Sequence, residues 1–120
     1  MKPSEIIKAD AIQKGVNPTP ILNKYARLLK NKDAILMQSG NTVLYLRKID
    51  KGLAELHLYT VDQPMAMIRA LQEFIAKIRR SDLNAVYGKA DNLQIIQVLR
   101  SLGVDVVESD LPQYNWKAFV

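Results

Sequence analysis

Between Val61 and Pro64 the apolar residues stop recurring at every second position and begin recurring at every third or fourth, and this switch limits the fold more than any other feature. Upstream lie three strand-like runs, Ala34 to Gln38, Thr42 to Ile49 and Leu53 to Val61. Ser39-Gly40-Asn41 and Asp50-Lys51-Gly52 separate them, and glycines there suit tight hairpin turns, so the runs form an antiparallel meander. In the third run Ala54, Leu56, Leu58 and Thr60 share one face and Glu55, His57 and Tyr59 the other, because strand side chains alternate. The first face is expected to be buried and the second functional or half-exposed. Downstream, Pro64 to Arg80 reads as a helix with Ile68, Leu71, Ile75 and Ile78 on its inner face and Arg69, Glu73, Lys77 and Arg80 largely off it.

Two shorter helices precede the meander. Residues 4 to 14 carry Ile6, Ile7, Ala11 and Ile12 at near-helical spacing, stopped by Gly15 and Asn17-Pro18. A second helix is expected from an N-cap at Thr19, with Pro20 at its first position, to about Asn31. After the long helix come a strand Asn84 to Gly88, a helix Asn92 to Leu102 capped by Asp91 and stopped by Gly103, and a strand Val104 to Glu108. Strand, helix, strand, helix, strand implies right-handed crossovers and a parallel component. Beyond Pro112, Gln113 to Phe119 is expected to be an edge strand returning beside the previous one, with Tyr114 and Trp116 sharing a face.

A chain of 120 residues with this pattern makes one domain, 1–120, around one core. The absence of cysteine rules out disulfides, thiolate catalysis and Cys-based zinc sites, and a single histidine rules out a His-cluster metal site, so no metal centre is expected. No apolar run reaches the roughly 18 to 20 residues of a membrane helix and the N-terminus lacks a signal-peptide core, so the expectation is an intracellular, unsecreted protein. A net charge of +5 favours acidic or phosphate-bearing partners.

Two short helices, a meander, a long helix, a strand, a shorter helix and a terminal strand pair together resemble the GNAT (GCN5-related N-acetyltransferase) topology. The local match is Asn92 to Val104, similar to the late motif of that family, in which an Asn opens a helix that a Leu-Gly turn closes. A narrower resemblance, carried by Leu56 to Pro64 and Ser109 to Trp116, is to small GNAT-like proteins of tailed bacteriophages, including the internal virion proteins of short-tailed phages. The resemblance implies an α/β (α+β) fold: a mixed sheet with an antiparallel meander and a parallel C-terminal part, flanked by about four helices. It also implies acetyl-CoA as cofactor, a site in the virion or host cytoplasm, and a virion or host protein as partner.

In that family, backbone N–H groups at a helix N-terminus hold the cofactor pyrophosphate. The corresponding register is Gln63-Pro64-Met65-Ala66-Met67-Ile68, followed by Arg69, with Asn92 at the late motif. Ala66 and Ile68 replace small residues and Pro64 brings no N–H, which points to a degenerate cradle. Acetyl transfer also wants a base for the amine and often a tyrosine for the leaving thiolate. Glu55 and His57 are the base candidates. The family's tyrosine position falls on Leu99, leaving Tyr114, Tyr87 or Tyr59 as substitutes.

Met65 and Met67 fill core gaps or line a groove. Arg69, Lys77, Arg79 and Arg80, and the stripe Lys24, Arg27, Lys30 and Lys32, make two basic faces. Three readings stay open: a phage accessory or virion protein with a degenerate acetyl-CoA site, an active divergent N-acetyltransferase acting on an amine, and a small nucleic-acid-binding module. The first leads at this stage. The oligomeric state is open in all three.

Overall fold

In a computed structural model, which describes residues 1–30, 34–89 and 93–120, the elements follow the expected order. Helices α1 (Pro3–Gln13) and α2 (Pro18–Lys30) precede strands β1 (Ala34–Ser39), β2 (Thr42–Asp50) and β3 (Leu53–Thr60). Then come α3 (Pro64–Arg79), β4 (Ala85–Gly88), α4 (Leu93–Ser101), β5 (Asp105–Glu108) and β6 (Trp116–Phe119). The α2 start differs from expectation: the Oδ1 of Asn17 accepts the Thr19 N–H at 3.1 Å, so the helix opens at Pro18 rather than Pro20.

The sheet has the order β1-β2-β3-β4-β6-β5. β1, β2 and β3 form the antiparallel meander, β3 pairs with β4 in parallel, and β6 runs antiparallel to both β4 and β5. One expectation is corrected here. The last strand is not at the edge; it lies between β4 and β5, and β5 is the edge. Trp116 and Ala118 are buried in the core, which a central position provides and an edge does not.

Both faces of the sheet are covered. Leu44, Leu46, Ala54, Val86, Val106 and Ala118 pack against Leu71, Phe74, Ile75 and Ile78 of α3 and Ile95 and Leu99 of α4. On the opposite face α1 and α2 lie over the meander, where Val43, Tyr45 and Glu55 are buried. On the second face of β3 Glu55 is fully enclosed, while His57 and Tyr59 are half-buried. Ile6 and Ile7 anchor α1 at 0% exposure, whereas Ile12 points to solvent at 59%. Asp10, buried on α1, takes the Thr60 N–H at 3.2 Å and the Lys14 ammonium at 3.0 Å, which ties α1 to the end of β3.

Candidate active site

β3 and β4 pair only from Leu53↔Ala85 to Glu55↔Tyr87. Beyond that point Gly88 pairs with Trp116 of β6, while β3 continues to Thr60, so the two parallel strands part company. Between them lies a cleft of about 280 Å³. Strand alternation gives it two sides. Leu56, Leu58, Gly88, Trp116 and Ile95 line the side of α3 and α4, and His57, Tyr59, Lys89 and Lys14 the side of α1 and α2. The gap therefore passes through the sheet, apolar on one side and polar and basic on the other. A larger hollow of about 370 Å³ lies at the other end, among Leu46, Ala54, Leu83 and the Lys51-Gly52 turn. No orphaned polar atom faces it among the described residues, so the smaller cleft is where chemistry is to be sought.

The Glu55 and His57 side chains meet, as alternation required. The Nε2 of His57 is 3.0 Å from Glu55 Oε1 but too poorly aligned for a hydrogen bond, and it is buried without another partner. The His57 ring stacks on Tyr45 with centroids 4.5 Å apart, which fixes its plane. Glu55, 1% exposed, accepts Arg47 Nε at 2.7 Å and faces the Lys24 ammonium at 3.9 Å. Burial alone pushes the Glu55 carboxyl up; His57 and Arg47 beside it, with Lys24 more distant, outweigh burial and hold it at about 2. A carboxylate that acidic accepts protons poorly near neutrality. It stands beside the imidazole as a fixed counter-charge, which makes His57 the candidate base of the pair.

Tyr114 is not on the cleft. It precedes β6, in a turn where its N–H donates to the Leu111 carbonyl, and its ring packs 5.4 Å from Tyr87 on the α1 and α2 side. Trp116 faces the opposite side, so the expectation that the two share a face is corrected: the strand alternation begins only after Tyr114. Burial, then the Glu55 charge, push the Tyr114 hydroxyl up. Tyr87 donates to Asp110 Oδ1 at 2.8 Å and is engaged there. Tyr59 is the tyrosine that lines the cleft; burial raises its hydroxyl, as does the Asp10 charge.

The start of α3 stands at the end of β3 where the cleft opens, joined through Val61, Asp62 and Gln63. Gln63 occupies the N-cap position with no side-chain cap bond, Pro64 is first in the helix, and Met67 N–H already bonds to the Gln63 carbonyl at 3.0 Å. Within the helix's first turn the Met65 and Ala66 amides are left without an intrahelical acceptor and Pro64 brings none, a reduced donor set for an anion. Ala66 and Arg69 are exposed, Ile68 half-buried, and Met67 packs against the core. Met65 points to solvent at 66% exposure, so only one of the two methionines fills a core gap. Asn92, with its Asp91 cap, lies outside the described residues, as does Lys32. Sequence reasoning passed over Gly88, Lys14, Lys89 and Arg47. Gly88, Lys89 and Arg47 are brought there by strand register and Lys14 by the packing of α1, neither of which a local pattern displays.

A mixed six-stranded sheet with a parted parallel pair, a long helix after the meander and two helices on the opposite face is the GNAT fold. Solved structures with which the chain shares it include acetyltransferases. GCN5 of Tetrahymena superposes with a TM-score of 0.65 at 11% identity, over 98% of this chain and 83% of that one. yncA of Salmonella typhimurium, a putative acetyltransferase solved with its cofactor acetyl-CoA, gives 0.57 at 14% identity, over 99% and 88%. The paia N-acetyltransferase of Thermoplasma acidophilum, in complex with coenzyme A, gives 0.56 at 16% identity, over 92% and 76%. No family model and no curated protein sequence matches.

Proposed function

We propose that this chain is a divergent N-acetyltransferase that takes acetyl-CoA in the cleft between β3 and β4. The observation that carries the reading is the gap itself. It passes through the sheet, has His57 beside Glu55 on one wall, and lies toward the end of β3, from which Val61, Asp62 and Gln63 lead to the start of α3. The fit to the cofactor is uneven. The cleft offers an apolar channel and unpaired strand edge, while the α3 turn supplies two amides and a proline in place of a full cradle. Weak pyrophosphate binding with a competent transfer site is the expected balance. When bound, acetyl-CoA supplies a thioester: a C–N bond forms to the amine, the C–S bond breaks, and the amine's proton ends on sulfur.

The protein's own part is positioning and proton transfer. His57 takes the amine proton; Glu55, charged across the working pH range, favours the imidazolium that results, and Tyr45 keeps the ring in plane. Tyr59, on the cleft and held protonated by burial, is the residue placed to supply a proton to the leaving sulfur. A virion or assembly role, with a virion or host protein as partner, draws on none of these features, so the catalytic alternative is preferred to it. The basic faces give the nucleic-acid reading little more: Lys24 is turned toward Glu55 and Arg79 donates to the Gly103 carbonyl at 3.3 Å.

The test is calorimetric titration with acetyl-CoA and CoA, followed by acetyl transfer to a panel of amines. Micromolar to high-micromolar binding with turnover supports the reading. His57→Ala is expected to lower the transfer rate by about 10² to 10⁴ while leaving acetyl-CoA affinity within about twofold. No binding at millimolar ligand would overturn it.

A further inference from the structure

Two buried side-chain polar atoms lack a hydrogen-bond partner among the described residues, His57 Nε2 and Trp116 Nε1, and both residues line the same cleft. An indole N–H is a donor with no acceptor capacity, and leaving one buried and unmade costs more than an ordinary hydrogen bond gains. Such an orphan in a cleft marks the place of an acceptor that arrives from outside. Trp116 is 2% exposed, and its ring lies against Gly88, its cross-strand partner, so closely that any Cβ there would overlap the indole. Gly88 thus lets the indole lie flat against β4 at the point where β3 and β4 separate.

Attack of an amine on a thioester needs two groups around one carbonyl: a base for the nitrogen's proton, and a donor for the oxygen on which negative charge collects. The cleft holds one of each, on its two sides. We infer that Trp116 is the donor, its Nε1–H hydrogen-bonding the acyl carbonyl oxygen of a thioester held between β3 and β4. This rests on the acetyltransferase reading and adds a catalytic residue to it. Because Nε1 is closed to water in the free protein, the acceptor reaches it only as the cleft walls part, and the bond then forms in a dry site where it counts for most.

Trp116 is the single tryptophan, so the ¹⁵N-labelled protein has one indole N–H resonance to follow. Acetyl-CoA is expected to move it downfield, and CoA, which lacks the acyl carbonyl, to move it far less. Calorimetry of Trp116→Phe, with its fold checked by circular dichroism, is expected to show acetyl-CoA affinity lowered about fivefold to tenfold and CoA affinity within about twofold of wild type. The ratio of the two ligands within one variant cancels any general loosening of the cleft, and the resonance test needs no variant. Equal indole shifts with both ligands, or an unchanged affinity ratio in Trp116→Phe, would overturn the role of Trp116 while leaving the acetyltransferase reading intact. Failure of wild type to bind either ligand would remove both.

Discussion

Glu55 keeps its charge in a place that should discourage charge. Its carboxyl is enclosed, yet Arg47, His57 and Lys24 surround it, and its folded-state pKa of about 2 lies below the ordinary 4.5. A depressed carboxylate pKa contributes stability that is fully present above the unfolded value and is lost as pH falls through the folded one. Denaturant midpoints should therefore drop between about pH 4.5 and pH 2, and the Glu55→Gln variant should lose less stability over that window. At pH 7 the same variant is expected to be destabilised by about 2 kcal/mol, less than a fully buried pair would lose, because Arg47 retains access to water. A flat wild-type profile over the window would contradict the ion-pair assignment. Alternation in Leu53 to Val61 already placed Glu55 beside His57 in the sequence. The Arg47 partner was hidden, since Arg47↔Glu55 exists only through the β2–β3 register.

At the scale of elements, the cleft exists because β4 is short and ends in a glycine that turns to β6. Gly88→Ala would drive a methyl into the Trp116 ring, and a cost of about 1 to 3 kcal/mol by urea denaturation is expected, with loss of acetyl-CoA binding. Unchanged stability would show that the indole moves aside freely. Gln63, exposed and making no cap bond, offers the opposite case: Gln63→Ala should shift stability by no more than about 0.5 kcal/mol, so any fall in CoA affinity would report on ligand contact alone. The order of elements was legible because period-two runs, a period-3.6 run and turn residues each act locally. The interior place of β6 was not, because Trp116 to Phe119 has the aromatic look of any strand, and its neighbours are chosen by long-range packing. The same reason kept Trp116 from being separated from Tyr114: two residues of spacing says nothing until the position where the strand begins is known.

Across the whole molecule, charge separates the two sides of the sheet at the cleft. Lys89 flanks the side of α1 and α2; Lys14 there is paired with Asp10, and Glu55 is engaged by Arg47. An amine bearing a carboxylate or phosphate should therefore be acetylated faster than a polyamine, and raising ionic strength should narrow the difference. Replacing Lys89 by glutamate should reverse the order in competition assays; equal rates before and after would show that this charge does not select the acceptor. No described helix is long and apolar enough to cross a membrane. The interior position of β6 also affects motion. Since β5 has no other strand partner, releasing Trp116 to Phe119 from β4 frees β5 from the rest of the sheet as well. Amide hydrogens of β5 and β6 should then exchange with solvent as a single unit, apart from those of the meander, so that one wall of the cleft is the first part of the sheet to breathe.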